Sequence, residues 1–197
     1  MNMKKIIIVD YGVGNLFSLK KAFEFCGIVP VISEEAEDIK TADALVLPGV
    51  GSFEAGMRGL KTRGLIAEVK KFAASGKSML GICLGAQLLL SEGYEFGKWD
   101  GLGIIQGKVA PFPRLTEKVP HIGWSKVEEG KRSFDAYFLH SYILEPSNSK
   151  DVFGVTEYGG FRFCSEVKRG VVLGVQFHPE KSGKAGLELI GKFVSRA

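Results

Sequence analysis

The sequence predicts an α/β fold: a mostly parallel central sheet flanked by helices, with an antiparallel elaboration in its second half. Three observations carry that expectation. Short β-branched runs, apolar throughout, read as strands buried on both faces. Stretches of helical apolar spacing follow them, and strands that alternate with helices give right-handed βαβ units and hence parallel pairing. Past residue 100 the texture changes to short β-rich runs separated by Gly, Pro and Asn, the pattern of antiparallel structure.

The first strand is Lys5-Ile-Ile-Ile-Val9, closed by Asp10. After the turn Gly12-Val-Gly14, residues Leu16, Leu19, Lys20, Phe23 and Cys26 recur at helical spacing up to Gly27. Val29 to Ile32 and Ala44 to Leu47 read as further strands. Leu65 to Ala74 reads as a helix, Ser78 to Ile82 as the next strand, and Leu84 to Leu90 as the helix after it. Beyond them the expected β-rich runs are Ile104 to Phe112, Val119 to Val127, Ala136 to Glu145 and Val152 to Thr156. Val171 to Phe177 restores the buried-strand pattern, and Lys184 to Val194 closes the chain as an amphipathic helix. With no linker, repeat or low-complexity segment, residues 1–197 are expected to form a single domain, a length that buries roughly 70 per cent of the unfolded surface.

Composition excludes several function classes. Hydrophobic residues at 45% and charged residues at 24% fit an ordinary globular protein, and no stretch approaches the ~18 uncharged apolar residues of a membrane span. The opening Met-Asn-Met-Lys-Lys leads only into Ile6 to Val9, too short an apolar run for a signal peptide, so a cytoplasmic location is expected. Cys26, Cys83 and Cys164 are odd in number and scattered, so reduced thiols are expected. The net charge of +4 is dispersed among acids, which argues against a nucleic-acid partner. No His, Cys or carboxylate cluster has metal-ligand spacing, and neither metal nor cofactor is expected.

The sharpest local feature is Gly81-Ile82-Cys83-Leu84-Gly85, where a buried strand meets a helix. A nucleophile there stands on a tight turn, and the flanking glycines matter because a Cβ at either position would crowd it. The thiol faces a helix N-terminus, whose unpaired N–H groups favour negative charge. A thiolate that attacks an amide needs a base and a group to orient that base. His178 follows the strand ending at Phe177 and so lies at a carboxyl-end position, the edge where open α/β sheets place their sites. Glu180 is two residues on and able to accept from the imidazole, while Pro179 stiffens the connection. Taken alone, His-Pro-Glu is equally a surface turn; beside the cysteine elbow it completes a triad. For the oxyanion, the candidate donors are the Leu84 backbone N–H and the loop Pro48-Gly49-Val50-Gly51 leaving another strand end. Gly12-Val-Gly14 lacks the third glycine of a dinucleotide fingerprint, since Phe17 stands there. His121 and His140 are expected to be structural or to line a substrate.

Gly81-Ile-Cys83-Leu-Gly85-Ala-Gln87, His178-Pro-Glu180 and Pro48-Gly-Val-Gly51 together resemble the class I (triad) glutamine amidotransferases, in order and spacing over nearly the whole chain. Asp10-Tyr-Gly-Val-Gly-Asn15, Pro120-His-Ile-Gly-Trp124 and His178-Pro-Glu-Lys-Ser182 further resemble the glutaminase subunits of imidazole glycerol phosphate synthase in histidine biosynthesis. The resemblance implies a flavodoxin-like fold and hydrolysis of L-glutamine to glutamate and ammonia through a Cys83 thioester, with His178 and Glu180 completing the triad. It implies that the Val50 and Leu84 amides serve the oxyanion. Gly51, Gln87 and Glu95 would hold glutamine, with the backbone around His140, Ser141 and Tyr142 at its carboxylate. It also implies a (β/α)₈ cyclase subunit as heterodimer partner, which receives the ammonia through a channel; Asn15, Trp124 and Lys181 would face that subunit. Core packing is the plain alternative for Trp124. The backbone of Pro48 to Gly51 is expected to reorient when the partner and its substrate bind, so that the isolated subunit is nearly inactive.

One position departs from that family: Ser125 stands where asparagine usually follows the tryptophan. That leaves open a paralogous glutaminase subunit supplying another synthase, such as one amidinating a surface sugar. More remote readings are a cysteine peptidase or a non-catalytic binding protein of the same fold.

Overall fold

The computed structural model describes residues 4–196. Met1 to Met3, part of the N-terminal stretch weighed above as a signal peptide, lie outside the described residues. The elements run β1 (Ile6–Val9), α1 (Leu16–Phe25), β2 (Val31–Ser33), α2 (Ala36–Thr41), β3 (Ala44–Leu47), α3 (Phe53–Thr62), α4 (Ile66–Ala74), β4 (Ser78–Ile82) and α5 (Leu84–Leu88). There follow β5 (Glu92–Gly93), β6 (Trp99–Asp100), β7 (Gly107–Pro111), β8 (His121–Glu129), β9 (Arg132–His140) and β10 (Tyr142–Pro146). The chain ends with β11 (Val152–Tyr158), β12 (Phe161–Arg169), β13 (Val172–Val175) and α6 (Gly183–Arg196).

One 13-stranded sheet holds them all, in the order β2-β1-β3-β4-β13-β12-β10-β7-β5-β6, with β11, β8 and β9 branching from β12. The five strands from β2 to β13 are parallel; from β12 the pairing turns antiparallel except between β5 and β7, so the elaboration extends the same sheet. Alternation splits the parallel strands between two cores, because successive side chains point to opposite faces. Ile6, Ile8, Val46, Leu80 and Val175 pack under α1 and α6, where Phe23 meets Phe193 edge-on at 6.1 Å. Ile7, Val9, Leu45, Leu47 and Met79 pack under α2 to α5 through Ile39, Phe53, Val69 and Leu88. Both faces of the strands are covered, which is why they read as unbroken apolar runs.

The parallel strands and flanking helices match the sequence expectation, and the differences have local causes. The second strand begins at Val31, not Val29, because Val29 is exposed ahead of Pro30. The run Ala136 to Glu145 divides at Ser141 into β9, which pairs with β8, and β10, which pairs with β7 and β12. The run from Ile104 becomes a strand only at Gly107, and the helix after Cys83 ends at Leu88. The sequence reading did not anticipate α2, α3 or the nine-residue β12; of these, α3 contains Gly56 and Gly59, which weaken its helical signal.

Register positions the functional edge. Leu47 of β3 lies opposite Gly81 of β4, and Ile82 opposite Val175 of β13, so the three strands end side by side. Residues that follow those ends, Pro48, Cys83 and Gln176, therefore emerge together.

Candidate active site

Cys83 sits between β4 and α5 with φ 51° and ψ −109°, a left-handed conformation unusual for a residue with a side chain. Its N–H donates to Val175 O at 2.8 Å and its carbonyl accepts from Gln87 N at 3.1 Å, which fix the turn from both sides. The flanking glycines are required by contact. A Cβ on Gly81 would lie 2.8 Å from Gly85 O, and one on Gly85 would overlap Leu47 O. The elbow expected from the sequence is thus a steric necessity of this packing.

His178 and Glu180 meet as expected: Nδ1 lies 2.8 Å from Glu180 Oε1, in a pair whose side chains are only 2% and 5% exposed. That contact assigns a ring proton to Nδ1 and leaves Nε2 as the atom that can gain or give a proton. Nε2 has no hydrogen-bond partner among the described residues, as has Glu180 Oε2. Burial disfavours a charge on His178, but the Cys83 sulfur and the Glu180 carboxylate more than offset it and raise its pKa to about 10. The His178 backbone is held as well. Its N–H donates to Tyr137 O at 2.9 Å, and its carbonyl accepts from the Ser182 hydroxyl at 2.6 Å, while Ser182 Oγ accepts from Tyr137 N. Ser182 is a positioning residue the sequence reading missed.

A cavity of about 280 Å³ opens over Cys83, near the lower end of the range for small-molecule sites. Its lining gathers the oxyanion candidates Val50 and Leu84 with Gly51, Gln87, Glu95, His140, Ser141 and Tyr142, and adds Pro120 and Leu139. His178 and Glu180 do not line it. Glu95 is steadied by Phe53 N, which donates to Oε2 at 2.6 Å, and by Trp99 Nε1, which donates to its carbonyl at 3.0 Å. A cationic group of a ligand would meet this carboxylate. Pro48 O accepts from the buried Tyr11 hydroxyl, Gly49 packs against Leu84, and Gly51 takes φ +121°.

His121 and His140 form a buried chain rather than a second base. His140 Nδ1 donates to Tyr142 O at 2.8 Å, so its Nε2 accepts from His121 Nδ1 at 3.1 Å, and His121 Nε2 accepts from Ser125 Oγ at 2.8 Å. Burial lowers the pKa of His140 to about 3 and of His121 to about 4, keeping both neutral. His140 lines the cavity and His121 supports it. Ser125, the departure noted in the sequence, turns inward.

Asn15, Trp124 and Lys181 are not brought into the cavity. Trp124 is 58% exposed, which removes the core-packing alternative. It lies 6.1 Å from Tyr137 in an edge arrangement, and Lys181 Nζ sits 5.7 Å above the same Tyr137 ring, so the two form one patch. The exposed Ile122 and Leu139, paired across β8 and β9, extend it. Asn15 is exposed and caps α1, accepting from Ser18 N at 3.2 Å. Gln176, fully buried, was missed: its Nε2 lies 3.7 Å from Cys83 Sγ. The signal was present, since an amide inside the apolar run Val175 to Phe177 demands a buried partner.

Among the described residues no group of His, Cys, Asp and Glu could hold a metal ion, and no helix is long and apolar enough to cross a membrane. The family model for class I glutamine amidotransferases matches residues 7–197. Imidazole glycerol phosphate synthase subunit HisH 1 of Legionella pneumophila (strain Lens) is 42% identical, covering 98% of this chain and 99% of its own. The HisH subunit of Symbiobacterium thermophilum is 44% identical, covering 97% and 93%. A solved structure described as a glutamine amidotransferase superposes with a TM-score of 0.77 at 22% identity, over 96% of this chain and 98% of its own, and shares the fold.

Proposed function

The chain belongs to the class I glutamine amidotransferase family, and we propose that it works as the glutaminase subunit of an imidazole glycerol phosphate synthase. It is a single domain that acts in the cytoplasm, where its three free cysteines stay reduced. The observation that carries the reading is the strained Cys83 elbow at the floor of a cavity, backed by the buried His178–Glu180 pair.

Glutamine enters with its ammonium toward Glu95 and its carboxylate toward the backbone of His140 to Tyr142. His178 Nε2 holds the proton drawn from the Cys83 thiol, and the Cys83 sulfur attacks the γ-carbonyl carbon. The oxyanion is met by the Leu84 and Val50 amides. The imidazolium, stabilised by Glu180, gives its proton to the amide nitrogen, the C–N bond breaks, and ammonia leaves a thioester. His178 then takes a proton from water, the hydroxide attacks the thioester, and the returned proton regenerates the thiol as glutamate departs. Net, one glutamine and one water become one glutamate and one ammonia.

The ammonia passes to a (β/α)₈ cyclase subunit that makes imidazole glycerol phosphate and aminoimidazole carboxamide ribotide. An exposed apolar patch of Ile122, Trp124 and Leu139 edged by Lys181 is the kind of surface that partners cover. Ser125 bonds to His121 on the inward side, so the departure from the family lies outside that patch, and the relatives at 42% and 44% identity favour the histidine pathway over a paralogous acceptor.

The test is co-expression with a cyclase subunit in a histidine auxotroph, beside glutamate release by the purified complex. Growth and glutamate release, both abolished by Cys83→Ala with the complex intact, are expected. Glutamate release by the Cys83→Ala variant would refute the triad, and failure of rescue beside a working control would refute the acceptor.

A further inference from the structure

Gln176 follows the last residue of β13 and is completely buried. Its backbone N–H donates to Ser165 O at 2.8 Å, which pins the residue to β12. Three polar contacts then determine which way its amide points. Tyr142 O can only accept, so Gln87 presents its NH₂ group to it at 3.3 Å. The same NH₂ group lies 3.1 Å from Gln176, which must therefore present its Oε1. That leaves Gln176 Nε2, a donor with nothing to accept, aimed at Cys83 Sγ at 3.7 Å. The sulfur's own hydrogen has a separate acceptor in Leu139 O at 3.8 Å, so the two contacts do not compete.

We propose that Gln176 is a catalytic residue of this site, donating an N–H to the Cys83 sulfur to stabilise the thiolate, with its orientation set by Gln87 and Tyr142. A hydrogen bond to an anion is stronger than one to a neutral group, so the contact favours the ionised sulfur in the attacking and departing steps. Gln176 does not line the cavity, so it acts on the nucleophile and not on substrate affinity. The proposal rests on Cys83 being the nucleophile.

The test follows carbamidomethylation of Cys83 by iodoacetamide across pH in the full-length chain, with mass spectrometry separating Cys83 from Cys26 and Cys164. This readout needs neither glutamine nor a partner, so its outcome is independent of whether the glutaminase reading holds. Gln176→Met keeps the volume and removes the donor. The half-maximal alkylation rate is expected to move up by about one pH unit, with reactivity at pH 7 falling about tenfold. Gln176→Glu, which replaces the donor by an acceptor, is expected to move it further. In the complex, kcat for glutamate release falls about tenfold with KM unchanged. An unchanged alkylation profile in a folded Gln176→Met variant overturns the proposal, as does a change in KM alone. Should neither variant fold, Gln87→Leu, which frees the Gln176 amide to rotate, is expected to shift the profile upward by a smaller amount, and an unchanged profile there overturns it equally.

Discussion

Replacing Glu180 by glutamine isolates the charge of the proposed triad's third member. The side chain keeps its shape, and the amide oxygen can still accept from His178 Nδ1, now 2.8 Å from Glu180 Oε1. What is lost is the anion facing the imidazolium that forms as the thiol proton moves. A buried hydrogen bond to a charged group contributes roughly 1.5–3 kcal/mol, and each ~1.4 kcal/mol is a decade in rate, so kcat should fall about 10- to 150-fold. That is a lower bound. Glu180 Oε2 has no partner among the described residues, so nothing holds the glutamine amide with its oxygen toward the ring. If the NH₂ group faces Nδ1 instead, the base takes the wrong tautomer and the loss approaches about 10⁴-fold. Because Glu180 does not line the cavity, KM should stay within about twofold of the original. The assay is glutamate release by the complex at varied glutamine, with the histidine ring followed by NMR titration. Loss of Glu180 removes one of the two groups that raise the His178 pKa, so its transition should move down from about 10. A kcat within twofold of the original, or a defect confined to KM, would refute the reasoning.

Gly85→Ala should be among the most damaging single methyl additions, because its Cβ overlaps Leu47 O, a backbone atom that cannot rotate away. A loss of about 3 kcal/mol in urea denaturation is expected, and a loss below about 0.5 kcal/mol would contradict the packing argument. Trp124→Ala should weaken the complex roughly 10- to 100-fold by calorimetry while the thermal midpoint of the isolated subunit stays within about 2 °C. Acid should destabilise the fold through His121 and His140. Their folded pKa values of about 4 and about 3 lie below the ordinary 6.5, so this stability is whole above pH 6.5 and is lost progressively as pH falls from 6.5 through 4 to 3. Urea midpoints that stay flat from pH 7 to 4 would contradict it. Glu166 has the opposite sign: burial raises its pKa to about 8, so its contribution is whole below 4.5 and is lost as pH rises through 8. Glu166→Gln should therefore gain on the unaltered chain between pH 6 and 9 in the same titration, and a constant difference would dismiss the assignment.

The site was legible where chemistry and local geometry coincide in a few residues. Gly81, Cys83 and Gly85 announce an elbow because only glycine tolerates the approach of Gly85 O and Leu47 O. His178 was legible because it follows an apolar strand, and Glu180 because two residues separate it from the ring it serves. Gln176 and Ser182 were not, since each is defined by a partner distant in sequence: Gln87 and Cys83 for the first, Tyr137 for the second. The same reason hid β12. Its run Phe161 to Arg169 mixes Arg, Ser, Glu and Lys into a segment that five consecutive buried positions show to be interior, and burial there is imposed by β11 and β13 on either side. Trp124 was ambiguous from sequence for a physical reason, because strand alternation decides which face a residue takes but not which face is covered.

The elbow and the proposed oxyanion loop pack together as far as Gly49, and that limits where the site can change shape. Leu47 and Pro48 carbonyls press on Gly85, Gly49 presses on Leu84, and Tyr11 holds Pro48 O from the other side. Moving any of these would disturb the turn that keeps Cys83 at positive φ, a conformation that costs of order 1–3 kcal/mol and survives only because its surroundings dictate it. Past Gly49 the constraint ends. Val50 is 38% exposed, and the nearest atom to a Cβ on Gly51 would be 4.0 Å away. The Val50 amide proposed for the oxyanion therefore lies outside the packed unit that fixes Cys83. That less confined segment lines the cavity with Pro120 and Leu139, and Leu139 belongs to the strand that carries part of the Trp124 patch.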